Sequence, residues 1–212
     1  MTRPAIDPAR MPDEIAVALG ADDDARRRLE TYVALLLKWQ KAVNLISGAG
    51  AADVWRRHIL DCGQLARLVP KGTQAIADLG SGAGLPGLVL AAMGVAGVHL
   101  VESDGRKAAF LLEANRAMGT DAKVLNRRVE DVAPESFDLV TSRALAPLDR
   151  LVPMAKKLLK TGGKLLFLKG KGAEEELTAA GQTWKMTVTR TPSLSDPEGV
   201  ILLIEDVEKR HG

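Results

Sequence analysis

The sequence predicts an α/β protein: a seven-stranded, mostly parallel sheet with helices on both faces, preceded by an N-terminal helical extension. Three observations carry that prediction. Before about residue 70 the apolar residues recur at helical spacings. From Lys71 onward short apolar runs alternate with helical segments, the texture of parallel strands joined by crossover helices. The last two runs follow one another directly, so they are expected to pair antiparallel at the far end. A length of 212 residues suits one domain with an appendage, divided here into 1–70 and 71–212.

Residues 1–10, with Pro4 and Pro8, read as a loose arm. "DDDARRRLETYVALLLKWQKAVNLIS" sets Leu29, Val33, Leu36, Leu37, Trp39 and Val43 mostly three or four apart, an amphipathic helix. Asp22, Asp23 and Asp24 open it, where acids suit the helix dipole. Each has an arginine four residues on, and the charged run reads as a solvated face. "AADVWRRHILDCGQLARLVP" is a second helix ending before Pro70. "TQAIADLG" is a buried strand, "LPGLVLAAMG" a helix, "GVHLVES" a strand, and "DGRKAAFLLEANRAMG" a helix closed by Gly119. "AKVLNRRV", "FDLVTSRA" and "GKLLFLKG" are further strands, with a helix near 147–160. "TWKMTVTRT" and "GVILLIEDVEK" complete the sheet, and Trp39, Trp55 and Trp184 are expected in the core.

Composition excludes several classes. A single cysteine, Cys62, forbids an internal disulfide. His58, His99 and His211 are too far apart for zinc-ligand spacing, so no metal is expected. Apolar runs such as "VALLL" at 33–37 fall far short of a membrane span, and "MTRPAIDPAR" lacks a signal-peptide core, so a cytoplasmic protein is expected. Basic and acidic residues number 10 against 9 up to residue 70 and 19 against 18 after it, so a nucleic-acid surface must be a local patch.

The chemistry concentrates after the first strand. "ADLGSGAGLPGLVLA" holds Gly80, Gly82, Gly84 and Gly87, and the last three satisfy the dinucleotide spacing G-x-G-x-x-G. Pro86 fits the first turn of the following helix. In an open α/β sheet such a loop lies at the carboxyl edge of the strands, where ligands bind. Glu102, 20 residues after Gly82, suits a ribose acceptor. It does not separate NAD from S-adenosylmethionine, because both carry adenosine. Three features favour S-adenosylmethionine. Asp78 places an acid where an ammonium, not a pyrophosphate, is welcome; Val129 and Glu130 suit adenine and its amine; and Arg143 ends the fourth strand at the same edge, where a carboxylate or RNA phosphate would partner it.

"DLGSGAGLPG", "VESDGRKAAFL", "VED", "FDLVTSRALAPL" and "GGKLLFLKG", with "KWQKAVNLIS" and "RRHILDC" before them, resemble the RsmG (GidB) family in order over roughly residues 25–205. That resemblance implies a Rossmann-like class I methyltransferase. It implies transfer of a methyl group from S-adenosylmethionine to N7 of one guanosine of 16S ribosomal RNA, position 527 in the 530 loop. It places the family's cofactor contacts on Gly80, Leu85, Val129, Glu130 and Arg143, with Glu102 matching the ribose-binding acid of the wider class. Asp78, Gly82 and Gly84 join them on the loop, and Arg143 is the one candidate catalytic residue. Gln40 and Cys62 depart from the family's usual asparagine and serine, and "SGAGAADVW" from its threonine-rich segment.

N7 carries a lone pair and no proton, so its methylation needs no general base, and catalysis rests on proximity and orientation. Arg56, Arg57, His58, Lys169 and Lys171 are the expected RNA contacts. The expected partner is 16S RNA within the small subunit or an assembly intermediate, met by a monomer. The alternatives are an NAD-dependent oxidoreductase, resting on the glycine spacing and Glu102, or a methyltransferase of another substrate class.

Overall fold

The computed structural model describes residues 8–210, so most of the expected arm, with Pro4, and His211 lie outside the described residues. The extension comprises α1 (Asp13–Leu19), α2 (Asp23–Trp39), α3 (Gly48–Ala52) and one continuous helical stretch. That stretch runs as a π-helix over Trp55–Leu60, a single turn α4 (Asp61–Gly63) and a 3-10 segment over Gln64–Leu68. The sheet domain follows as β1 (Ile76–Leu79), α5 (Gly87–Ala92), β2 (Val98–Val101), α6 (Gly105–Met118) and β3 (Lys123–Leu125). It continues as β4 (Phe137–Arg143), α7 (Leu148–Leu158), β5 (Leu159–Lys169), α8 (Ala173–Thr183), β6 (Trp184–Pro192) and β7 (Val200–Lys209).

The seven strands lie in the order β3-β2-β1-β4-β5-β7-β6. The pairings from β3 through β5 are parallel, and β7 runs antiparallel to both β5 and β6. The order reverses between β1 and β4, and at such a crevice the loops after the strands leave room for a ligand.

Side chains alternate across the sheet, as the pleat requires. Ile76, Leu100, Leu139 and Leu166 enter one core with α5, α6 and the extension. Ala77, Val101, Val140 and Phe167 enter the other, with α7 and α8. The first core unites residues from both sides of position 70: the Phe110 ring of α6 lies tilted against Tyr32 at 6.2 Å and edge-on to Trp39 at 5.7 Å. Trp55 is buried, and Trp39 and Trp184 pack against the cores half-buried, in line with expectation.

Several expectations need correction. α2 stops at Trp39 because the Gln40 side chain turns back on the chain, accepting from the Leu45 and Ile46 N–H groups at 2.8 and 2.9 Å. The expected four-residue charge pairs at its start are replaced. Asp22 caps the helix by accepting from the Ala25 N–H, Arg26 pairs with Asp13 and Glu30, Arg27 with Asp24, and Arg28 reaches the Ala92 carbonyl. The strand expected over "AKVLNRRV" lasts three residues, and Val129–Asp131 is a 3-10 turn. α8 is an addition to the expected elements: its buried contacts are Ala173, Leu177 and Ala180, too few large apolar groups to mark a stripe.

Candidate functional site

The glycine loop is held by groups on three elements. Asp78, at the third position of β1, is wholly buried and accepts the Gly87 N–H at 3.0 Å through Oδ2. Burial pushes its carboxyl up to about 7, opposed by that hydrogen bond. A Cβ on Gly87 would lie 2.3 Å from Leu100 and 2.7 Å from that Asp78 oxygen, so this glycine serves close packing of α5 on the sheet. From below, the Tyr32 hydroxyl donates to the Ala83 carbonyl at 2.7 Å.

Glu102, the residue after β2, braces the loop. Its Oε2 accepts the Gly82 N–H at 2.8 Å, and its Oε1 accepts the Asp104 N–H at 2.8 Å. A carboxylate has about four acceptor directions, so each oxygen keeps one for a ligand hydroxyl. Gly82 has φ 56°, and a Cβ there would meet only the Gly80 carbonyl oxygen, at 3.8 Å. It would stand in open space at the mouth of a cavity of about 350 Å³. Gly80, Gly82, Glu102, Val129, Glu130 and Leu145 line that cavity, which falls in the size range of small-molecule sites. The donor set fits adenosine: an acid with spare acceptor capacity for a ribose, an apolar Val129 for a purine face, and a backbone cradle that a side chain at Gly82 would fill.

Five of the expected cofactor residues are thus together. The rest sit elsewhere. Gly84 and Leu85 shape the loop beneath, with Leu85 buried in the core. Asp78 faces α5 and is not part of the lining. Arg143 leaves β4 toward the extension, where it donates to Asp61 at 3.1 Å, the Arg57 carbonyl at 3.0 Å and His58 Nδ1 at 2.8 Å.

Arg143 instead borders a second cavity, of about 490 Å³, with Asp61, Lys169, Glu176 and Asp196. Leu145 lines both cavities. It is 40% exposed, and the Cβ that Gly80 lacks would lie 2.7 Å from its Cδ1, so it forms the partition between them. The 193–199 loop closes the far wall, through Ser195 Oγ donating to Asp61 at 2.6 Å and Leu194 N–H donating to Gln64 at 2.8 Å.

The expected RNA contacts divide. Arg56 and Arg57 are exposed on the π-helical stretch beside this wall, and Lys171 is exposed near Glu198. His58 is a correction: it is 8% exposed and turned inward, with Nδ1 against Arg143. Burial, then the Arg143 charge, hold its pKa down to about 4, so the ring is neutral and unsuited to phosphate. Lys169 is nearly buried, bonded to the Ala146 carbonyl at 2.9 Å and Glu176 at 2.7 Å. Cys62 is fully buried, and burial pushes its thiol up. Tyr32, Asp61, Leu145 and Glu176 escape sequence reasoning; "SRALAPL" follows a strand at the ligand edge, the one signal that points near Leu145.

No group of three or more metal-ligating side chains occurs among the described residues, and no described helix is long and apolar enough to cross a membrane.

Residues 25–202 match the family described as rRNA small subunit methyltransferase G, GidB. Two proteins called ribosomal RNA small subunit methyltransferase G are similar across almost the whole chain. That of Paramagnetospirillum magneticum is 50% identical, covering 93% of this chain and 97% of its own. That of Rhodospirillum centenum is 47% identical, covering 93% and 91%. Among solved structures, a "predicted O-methyltransferase" of Agrobacterium tumefaciens aligns with a TM-score of 0.55 at 24% identity, over 73% of this chain and 81% of that one. The T. thermophilus 16S rRNA N2 G1207 methyltransferase RsmC, solved with AdoMet and guanosine, aligns with a TM-score of 0.52 at 20% identity, over 73% and 40%. At these identities the two structures speak for the fold alone, the Rossmann-like α/β sheet.

Proposed function

Because the chain belongs to the rRNA small subunit methyltransferase G (GidB) family, we propose that it methylates N7 of a single guanosine in the 530 loop of 16S ribosomal RNA. The methyl donor is S-adenosylmethionine, and the NAD reading of the Gly82–Gly84–Gly87 spacing falls with family membership. The observation that carries the site assignment is Glu102, whose carboxylate both pins Gly82 and keeps acceptor capacity toward the 350 Å³ cavity.

In this reading Glu102 accepts the ribose hydroxyls. Val129 covers one adenine face, and Glu130 or its backbone meets the exocyclic amine. Gly80 and Gly82 let the backbone close on the methionine portion, while Gly84 and Leu85 fix the loop's path. Asp78 acts from below, by holding α5 and the loop together. Arg143 orders the extension side of the second cavity through Asp61 and His58, and so positions rather than reacts. Bound S-adenosylmethionine supplies an electrophilic methyl on a sulfonium. The protein's own task is to present N7 to it in line and exclude water, with no proton to move. Arg56, Arg57 and Lys171 hold RNA phosphates at the rim. The enzyme acts as a cytoplasmic monomer on the small subunit or an assembly intermediate.

The test is incubation with methyl-labelled S-adenosylmethionine and small subunits lacking the modification, then cleavage at N7-methylguanosine. One labelled guanosine in the 530 loop is the expected result. Intact cofactor binding without label in subunits or free RNA would remove the substrate assignment.

A further inference from the structure

The second cavity holds a pair of charged groups that cofactor binding does not use. We propose that Glu176 and Lys169 read the Watson–Crick edge of the target guanine, Glu176 accepting from its N1–H and N2 amine and Lys169 donating to its O6. This role rests on the assignment of the chain as a guanine-N7 methyltransferase.

Three carboxylates border this cavity, and their hydrogen bonds distinguish them. Asp61 has both oxygens engaged, Oδ2 by Arg143 at 3.1 Å and Oδ1 by the Ser195 hydroxyl at 2.6 Å. Asp196 is exposed on the 193–199 loop and accepts the Glu198 N–H. Glu176 accepts the Leu148 N–H at 2.9 Å and the Lys169 ammonium at 2.7 Å, both through Oε2. Its Oε1 has no hydrogen-bond partner among the described residues, and its side chain is 30% exposed. Lys169 is 10% exposed and uses two of its three protons on Glu176 and the Ala146 carbonyl.

A donor beside an acceptor therefore lines one wall. Guanine offers the complement, an O6 acceptor beside N1–H and N2–H donors. Adenine offers an amine where the ammonium stands and a lone pair where the carboxylate stands. A site built of charged partners rejects such a mismatch far better than an apolar pocket does. The position suits the chemistry. Lys169 is tied to the carbonyl of Ala146, the residue after the Leu145 partition. N7 lies across the purine from the N2 amine, so a base read on this wall leaves N7 free for the methyl donor, and Leu145 is common to the two cavities. Lys169 thereby leaves the phosphate role its sequence position suggests.

The test compares small subunits whose 16S RNA carries guanosine or inosine at the target, because inosine keeps N7 and O6 but lacks the N2 amine. Label transfer gives kcat/KM for each RNA with the wild-type protein and with E176Q. Both RNAs meet the same preparation, so the ratio is insensitive to how much of a variant is folded. The wild type is expected to prefer guanosine by roughly tenfold to a hundredfold, the value of one hydrogen bond to a charged group, and E176Q to lose most of that preference. Equal preference in wild type and E176Q overturns the proposal while leaving the methyltransferase reading intact. A wild type that labels neither RNA, yet binds cofactor, overturns both.

Discussion

Tyr32 of the helical extension donates its hydroxyl to the carbonyl of Ala83, in the middle of the glycine loop, at 2.7 Å. Both groups are buried, so the extension supports the glycine loop directly. Tyr32→Phe leaves the Ala83 carbonyl unpaired, at a cost of about 1–3 kcal/mol. Chemical denaturation is expected to show that loss, and calorimetric titration a weaker affinity for S-adenosylmethionine. Wild-type values in both would show that the loop holds itself.

Glu102→Ala removes the acceptor shared by Gly82 and Asp104 and the proposed ribose partner. Affinity for S-adenosylmethionine is expected to fall by roughly tenfold or more. Glu102→Gln keeps one acceptor oxygen and is expected to lie between. Titration of the three proteins ranks them, and equal dissociation constants would move the ribose elsewhere.

His58 makes stability depend on pH in one direction. Its folded pKa is about 4 against an ordinary 6.5. Between those values the unfolded chain takes up a proton that the folded ring, facing Arg143 and Arg57, does not. The contribution is therefore complete above pH 6.5 and is lost as pH falls toward 4, on the order of 2–3 kcal/mol. Asp78, raised to about 7 from 3.8, works the opposite way, its stability present at low pH and lost on rising through 7. The clean measurement is the stability gap between wild type and His58→Asn, in which Asp78 is common. That gap is expected to narrow from pH 6.5 to 4; a constant gap would refute the assignment.

Arg56 and Arg57 stand exposed on the wall that carries Asp61. Replacing both with alanine is expected to flatten the slope of log K against log salt for RNA binding by about 1–2, with cofactor affinity unchanged. An unaltered slope would move the phosphate track to another face.

Much of the sheet and its ligand edge is legible in residues 71–212, because strands and glycine turns are local signals. "DLGSGAG" and "VES" declare a loop and an acid at one sheet edge without knowledge of the rest of the chain. What stays hidden depends on distant partners. Arg143 reads as a cofactor or phosphate group at a strand end, but its guanidinium is claimed by Asp61 and His58, 82 and 85 residues earlier. Charge alone assigns His58 and Lys169 to RNA, and only packing shows one neutral and the other paired. Glu176 sits on a helix whose thin apolar face hides both the helix and its carboxylate.

The Asp61–Ser195 hydrogen bond closes the second cavity across 134 residues of chain. During synthesis the π-helical wall, the glycine loop and Arg143 all emerge well before the loop that seals them. A nascent chain ending ahead of Ser193 lacks this seal and also β7, the strand between β5 and β6 that puts Ile201 into one core and Leu202 and Ile204 into the other. One stretch of chain thus completes the sheet and encloses the second cavity, so the base-side wall forms only as the fold itself is finished.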